Sequence, residues 1–273
     1  MPKKFSLWIV IILAGCSTFS RQQYLKPVSM NVIYRIYPDF KSAKALYSAS
    51  EKTLYALDPN NSKIHIYHEG KKINVIGGLG FSQGNFSRIA DIALTPDGKL
   101  LVLDSFEKKI SRFDRDGKMT AEFDLTDLPE PVLLDLTIDE KFYFYDRNYQ
   151  EVIFRQQLND DNYYEFGKFQ IRSPDQLTVT RNYVILYSRD EDCSFVFDRF
   201  GQFISEDKGY VQYDRKVRYD LAGNYITSGS GAEKFALSPE RWTNFMIREG
   251  YCTIISDREI QVLEIIYENI STP

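Results

Sequence analysis

Histidine is almost absent from this chain, which has only two in 273 residues, His65 and His68. Catalysis by a serine, histidine and aspartate triad needs a histidine placed as a base, and no serine here sits in a nucleophile-elbow motif. The two histidines flank Ile66 and Tyr67 in an apparent strand, where positions three apart point to opposite faces. No cysteine or carboxylate stands near them at ligand spacing. We therefore predict no catalytic, cofactor-binding or metal-ligating residues and no bound cofactor.

Cysteine and excess positive charge are also lacking. The chain has three cysteines, and apart from Cys16 the pair Cys193 and Cys252 is too small a set for a disulfide framework. Whether those two are paired is left open by the sequence. Basic residues number 34 against 38 acidic ones. Such a mildly acidic chain argues against nucleic acid as a partner.

A long apolar run is missing too, since the stretch 5–12 falls well short of the ~20 apolar residues that span a bilayer. Lys3 and Lys4 precede this stretch, and the tetrad Leu13-Ala14-Gly15-Cys16 follows it. A basic n-region, an apolar core and small residues before a cleavage point are typical of an exported precursor. The alternatives are a single transmembrane anchor, or a secretory signal in which the cysteine is incidental.

The tetrad resembles the lipobox of bacterial lipoproteins. That resemblance implies that residues 1–15 are a cleaved signal peptide and that lipid is attached to Cys16. The polar stretch 16–29 is then expected to be a lipidated tether. The resemblance places the protein in the bacterial cell envelope, lipid-anchored to a membrane. If the source is Gram-negative, Ser17 after the cysteine favours the outer membrane, facing the periplasm.

The chain is rich in aromatic residues, with 19 tyrosines and 19 phenylalanines, and in short apolar segments. Such side chains suit pleated, half-buried strands. At 89–123 four apolar runs alternate with Pro-Asp-Gly and Asp-Gly turns, which is the pattern of one four-stranded propeller blade. The residue that closes the second run recurs at Asp58, Asp104, Asp146, Ser188, Ser228 and Asp257. Most of these intervals match the ~40–50 residues of propeller repeats.

These repeats predict an all-β fold, a propeller of six four-stranded antiparallel blades over residues 30–273, with five or seven blades as alternatives. The last blade has only three clear strands after residue 241. The unassigned run Val32-Ile-Tyr-Arg-Ile-Tyr37 is expected to supply its fourth strand. That pairing would close the ring and leave no open blade edge.

The motifs GGLGFSQGNF at 77–86, IALTPDG at 92–98, LVLD at 101–104 and ISRFD at 110–114 resemble NHL-type repeats. They are also similar to the related six-bladed propeller lipoproteins of bacteria. The similarity covers 77–123 well and weakens beyond residue 210. It departs from the NHL pattern at Phe106-Glu107, where those repeats carry a Gly-Asn or Asn-His pair.

An anchor, a rigid scaffold and no recognisable catalytic set favour a non-catalytic scaffold that binds an envelope protein or peptide. Loop tyrosines such as Tyr149 and Tyr210 are candidate anchors for that partner, whose contact residues the sequence does not identify. One alternative is a carboxylate-based hydrolase or lyase acting on a glycan or small ester in the axial pocket. Another is a sensor that binds a small ligand or glycan in that pocket.

Overall fold

The computed structural model describes residues 23–80, 84–160, 162–229, 233–238 and 240–271. Within these residues the chain forms 24 strands in six four-stranded antiparallel sheets. Each sheet is one blade, so the predicted six-bladed propeller is confirmed. The described residues include no helix long and apolar enough to cross a membrane. Cys16 and the predicted signal peptide, residues 1–15, lie outside the described residues.

The strands follow one plan in which each blade runs from the innermost strand outwards. The chain opens with β1 (Gln23–Ile36), which belongs to the last blade. Blade 1 contains β2 (Lys44–Ser48), β3 (Thr53–Asp58), β4 (Lys63–His68) and β5 (Lys71–Gly77). Blade 2 contains β6 (Ile89–Leu94), β7 (Leu100–Asp104), β8 (Lys109–Phe113) and β9 (Met119–Asp124). Blade 3 contains β10 (Pro131–Leu136), β11 (Phe142–Asp146), β12 (Glu151–Arg155) and β13 (Tyr163–Phe166).

The second half of the ring repeats this order. Blade 4 contains β14 (Gln176–Val179), β15 (Tyr183–Ser188), β16 (Cys193–Asp198) and β17 (Phe203–Lys208). Blade 5 contains β18 (Val211–Asp214), β19 (Val217–Ala222), β20 (Tyr225–Ser228) and β21 (Glu233–Ala236). Blade 6 contains β22 (Trp242–Arg248), β23 (Tyr251–Ser256) and β24 (Ile260–Ser271), with β1 as its outermost strand.

Burial follows the position of each strand in its blade. Every residue of β7 and β10 is buried, whereas the outermost strand β9 alternates between partly buried and exposed residues. A strand near the axis packs against the neighbouring blades on both faces, so it needs a continuous apolar run. An outermost strand has a solvent-facing side and therefore shows a period of two.

Polar side chains on the innermost strands join neighbouring blades. Asp91 accepts a hydrogen bond from the backbone N–H of Leu134 at 2.9 Å, and Asp135 accepts one from Val179 at 2.7 Å. Lys44 donates to Asp91 at 2.8 Å, and both side chains are almost fully buried. The inner edge of each blade lacks a strand partner, so these bonds satisfy backbone groups that would otherwise be left unpaired.

The repeated aspartate at the end of the second strand has a structural role. Asp104 accepts backbone hydrogen bonds from Phe106 and Glu107 in its own turn, and from Ser87 and Arg88 at the entry to the blade. This carboxylate therefore fixes both the turn between the second and third strands and the crossing from the preceding blade. Its recurrence explains why the blade count could be predicted.

The alignment of the repeat was wrong in blade 5. Ser228 closes the third strand, β20, whereas the second strand, β19, ends at Ala222. Blade 5 is shorter than the others because β18 and β19, and then β19 and β20, are joined by two-residue turns.

The N-terminal strand closes the ring, as predicted, because β1 pairs with β24 in blade 6. It begins at Gln23, so residues 23–29, which the sequence placed in the tether, are strand residues paired with β24. The pairing of β23 with β24 ends at Tyr251 and Glu264. Beyond it, residues 23–30 and 265–271 form a two-stranded extension, called here the ribbon.

The ribbon packs against blade 5. Lys26 lies 2.5 Å from Glu233 on the outermost strand of that blade. Tyr219 donates a hydrogen bond to the hydroxyl of Tyr267 at 2.8 Å, and Tyr267 donates to Asp214 at 2.7 Å. These contacts show why the strand starts earlier than the sequence predicted, since its partners come from blades 5 and 6.

Candidate functional site

A cavity of about 510 Å³ opens at one end of the propeller, where the innermost strands of blades 3 to 6 finish. We call it the axial mouth. Its lining comes from the turns between the first and second strands of those blades, at residues 136, 138, 179–183, 213–216 and 247–249. We call this end of the ring the mouth face, and the end that carries the turns between second and third strands the opposite face. The volume lies in the range of ligand-binding pockets.

The charged side chains of the lining are mostly basic, although the chain as a whole carries a formal charge of −4. Four basic side chains, Arg181, Arg215, Lys216 and Arg248, face two acidic ones, Asp214 and Glu249, which gives the lining a formal charge of +2. A concave surface with charges of one sign in excess concentrates ligands of the opposite sign.

Arg248 is held at the base of the axial mouth. Its Nη1 lies 3.5 Å from Oδ1 of Asp135, and its Nη2 donates to the backbone oxygen of Leu136 at 3.2 Å. Asp135 in turn accepts a hydrogen bond from Val179 of blade 4. One arginine of blade 6 is thus tied to blades 3 and 4, which fixes the shape of the cavity.

The carboxylate of Asp214 is occupied by structural partners. Gly250 donates its backbone N–H to Oδ2 of Asp214 at 3.0 Å, and the hydroxyl of Tyr267 donates to the same oxygen at 2.7 Å. The nearest nitrogen of Arg215 lies 3.9 Å from that oxygen, and its guanidinium lies 4.9 Å from the centre of the Tyr267 ring. Asp214 therefore anchors the turn that presents Arg215.

Arg215 and Lys216 form a two-residue turn in which both residues have positive φ, of 48° and 68°. A two-residue hairpin with positive φ at both positions favours Asn-Gly or Asp-Gly, because side chains with a Cβ are strained there. Ten other described residues that are not glycine also have positive φ, most of them in turns, so the particular feature of this hairpin is that neither turn residue is glycine. Both side chains are exposed at the axial mouth.

Apart from Thr180 and Asn182, the rest of the lining is aromatic and aliphatic. The rings of Tyr183 and Tyr213 lie with their centres 4.7 Å apart, and both tyrosines are half-buried. Ile138 at the rim is 65% exposed. The axial mouth therefore combines cationic groups with surfaces for apolar or aromatic contacts.

The histidines lie in blade 1, away from the axial mouth. His65 is buried, and its ring stacks on Phe40 with centres 4.0 Å apart, whereas His68 is exposed on the other face of β4. Burial lowers the pKa of His65, and Asp58, 3.8 Å away, opposes that shift only in part. No group of three or more histidine, cysteine or acidic side chains among the described residues is placed to share a metal ion.

The other residues singled out in the sequence are dispersed. Cys193 in blade 4 and Cys252 in blade 6 are both buried free thiols. Tyr149 is 40% exposed at a turn on the opposite face. The suggestion that Tyr210 is a loop anchor was wrong, because it is buried and stacks on Tyr187 with ring centres 4.4 Å apart.

The four basic residues of the axial mouth were missed by sequence reasoning. They come from three different blades, and only the ring brings them together. One signal was present in the sequence, since the segment Asp214-Arg-Lys-Val217 occupies a hairpin position without glycine.

Comparison with known proteins agrees with this architecture. Residues 44–171, which correspond to blades 1 to 3, match a family described as "6-bladed beta-propeller". No curated protein matches the chain in sequence. The fold and the family match define the protein as a six-bladed β-propeller.

Solved structures share the fold at low identity. Virginiamycin B lyase from Staphylococcus aureus is 13% identical with a TM-score of 0.55, and the alignment covers 90% of this chain and 100% of the lyase. The gluconolactonase XC5397 from Xanthomonas campestris is 12% identical with a TM-score of 0.60, over 87% of this chain and 89% of that protein. The WD40 repeats of RRP9 are 9% identical with a TM-score of 0.59, over 89% of this chain and 100% of theirs. Enzymes and a repeat domain thus share the fold, and such likeness carries no assignment of activity.

Proposed function

We propose that the protein is a membrane-tethered, non-catalytic propeller lipoprotein of the bacterial cell envelope that binds a protein or peptide partner at its axial mouth. The observation that carries this proposal is the open cavity of about 510 Å³, lined by strained basic turn residues and by exposed apolar groups. Strain at Arg215 and Lys216 lowers the stability of the free protein, and their exposed positive charges favour a role for this turn in binding.

The proposed anchor and the axial mouth are expected at the same end of the molecule. The ribbon leaves blade 6 beside the turn Glu249-Gly250, which is on the mouth face, and its first residue is Gln23. Seven peptide units separate Cys16 from Gln23, which reach at most about 25 Å when fully extended. Lipid on Cys16 would therefore hold the mouth face towards the membrane. A partner in that membrane, or close to it, would be within reach.

The alternative of a carboxylate-based hydrolase or lyase requires acidic side chains that converge at one end of the channel. The lining of the axial mouth contains only two, and Asp214 is bonded to Tyr267 and Gly250. This arrangement offers no pair of free carboxylates for acid and base roles. The small-ligand sensor uses the same cavity and differs from our proposal only in the size of the ligand.

Affinity purification from native membranes, after mild cross-linking, tests the proposal. The wild-type protein is compared with Cys16→Ser, and mass spectrometry identifies the acyl chains on the bait and any protein bound to it. We expect an acylated bait with one envelope partner in a fixed ratio, and loss of both acylation and partner in the variant. An acylated bait without any partner would contradict the binding role, and an unacylated bait would contradict the anchor.

A further inference from the structure

We propose that the axial mouth binds an acidic peptide segment, and that the side chains of Arg215 and Lys216 bind the carboxylates of that segment. This inference rests on the proposed function and gives the chemical class of the partner.

The charges available to a ligand point to an anion. Among the described residues, Arg181 and Lys216 have no ion-pair partner, and Arg215 has only the distant contact with Asp214 at 3.9 Å. Asp214 and Glu249 oppose these charges and Asp135 pairs with Arg248, so the four basic residues still leave a net positive charge at the cavity. The planar fork of an arginine matches the two oxygens of a carboxylate, and a lysine adds a mobile point charge.

The backbone supports a specific role for this turn. Four hairpins of paired strands among the described residues have two-residue connections, and three of these contain glycine: Glu69-Gly70, Gly223-Asn224 and Glu249-Gly250. The fourth connection, Arg215-Lys216, has none. In the other three turns glycine takes one of the two positions, although Glu69 and Glu249 also have positive φ, of 47° and 53°. The turn Glu249-Gly250 also lines the cavity, through Glu249, so what sets Arg215-Lys216 apart is a pair of long cations in a turn without glycine, at a cost in strain that their charges would explain.

The apolar lining favours a peptide over an inorganic anion. A small anion would contact only the basic rim, whereas Tyr183, Tyr213 and the exposed Ile138 offer stacking and apolar surface. Acidic residues interspersed with aromatic or branched side chains would use both parts of the cavity. Aromatic side chains in such a segment would gain most of their contact energy from these rings.

The turn allows a variant that removes the charges without harming the fold. Arg215→Asn with Lys216→Gly produces the dipeptide that this turn geometry prefers, so the double variant should fold at least as well as the wild type. A matched control, Lys71→Gln with Lys72→Gln, removes two exposed positive charges from the outermost strand of blade 1. The net charge of the protein changes by the same amount in the Arg215/Lys216 double variant and in the Lys71/Lys72 control.

Each immobilised protein is incubated with a pool of random octapeptides, and the retained peptides are sequenced by mass spectrometry. We expect the wild type and the Lys71/Lys72 control to enrich aspartate and glutamate beside aromatic or branched residues. Enriched peptides resynthesised with asparagine and glutamine should bind at least ~10-fold more weakly, since loss of a charge-assisted hydrogen bond corresponds to a factor of ten or more. The Arg215/Lys216 double variant should show a similar loss, and affinity for the wild type should fall with rising salt.

Equal retention of acidic peptides by the double variant would overturn the inference, as would full displacement of them by inorganic phosphate at an equal concentration of charge. A partner captured from membranes without any acidic enrichment here would refute the acidic class and leave the proposed function standing. Acidic enrichment without a membrane partner would support the acidic class of ligand and contradict the proposed function.

Discussion

The strained turn at the axial mouth makes an unusual prediction, that Lys216→Gly stabilises the protein. A residue with a Cβ in the left-handed conformation costs roughly 1–2 kcal/mol relative to glycine. Glycine also makes the unfolded chain more flexible, which costs about 0.4–1 kcal/mol. Lys216 is exposed and has no ion pair among the described residues, so the loss of its side chain removes little else. The net gain in the free energy of unfolding should be about 1 kcal/mol.

Urea denaturation monitored by tryptophan fluorescence measures this change. The midpoint should rise with an unchanged slope, because the surface exposed on unfolding stays the same. The reverse substitution, Gly70→Ala, is the control, since Gly70 has a φ of 79° in another two-residue turn. A Cβ there would lie 3.5 Å from the Cβ of Tyr34, an ordinary contact, so only strain should matter. We expect Gly70→Ala to lose roughly 1 kcal/mol.

The reasoning fails if Lys216→Gly lowers the free energy of unfolding, or if Gly70→Ala leaves it unchanged. Either result would mean that positive φ carries little cost in these turns. The argument that Arg215 and Lys216 are kept for their charges would then lose its physical basis.

Three further changes test the rest of the structure. Lys44→Met leaves the buried carboxylate of Asp91 without its cation, which should lower the free energy of unfolding by about 3–5 kcal/mol in urea denaturation. Burial already raises the pKa of Asp91 although Lys44 lowers it, so this loss should shrink at low pH, where Asp91 is protonated. A loss below ~1 kcal/mol would argue against a stabilising ion pair. Because the pKa of His65 is lowered on folding, the unfolded chain takes up its proton first, and stability should fall as pH drops below about 6.5. His65→Phe should flatten that fall between pH 7.5 and 5.5, whereas His68→Gln, at an exposed position, should retain it; equal slopes for the two variants would contradict the assignment. Tyr267→Phe removes the hydroxyl that bonds to Asp214 and should cost about 1–3 kcal/mol, with weaker peptide binding at the axial mouth, and a neutral effect on both would show that the ribbon does not support the turn.

The fold could be predicted because a local feature repeats in each early blade. Asp104 and Asp146 each hold the turn after the second strand and the entry to their blade, so the same residue recurs at a fixed place. Blade 5 has no such aspartate, and its second strand ends at Ala222, 34 residues after Ser188. The shortened spacing shifted the alignment to Ser228.

The ribbon could not be predicted from its own residues. Pro27 and two irregularities in the pairing interrupt the alternation expected of a strand in β1. Its conformation depends on β24 and on contacts to blade 5 through Lys26 and Tyr267. Tertiary partners of this kind leave no local signal, which is why the stretch resembled a tether.

The axial mouth was beyond sequence reasoning for a different reason. Its basic residues, at positions 181, 215, 216 and 248, each look like ordinary surface charge within their own segment. Only the closure of the ring places the turns of four blades around one cavity. The scarcity of histidine argues against a triad, but it gives no location for a binding site.

Site-specific photo-cross-linking in native membranes tests the central claim, that a partner binds at the axial mouth, most directly. A photoreactive phenylalanine replaces either Ile138 in the axial mouth or Phe106 on the opposite face, two side chains of similar exposure at 65% and 68%. We predict a discrete adduct with one envelope partner from position 138, its loss when Arg215→Asn and Lys216→Gly are added, and no such adduct from position 106. An adduct from position 106 alone, or one from position 138 that persists in the double variant, would contradict the account.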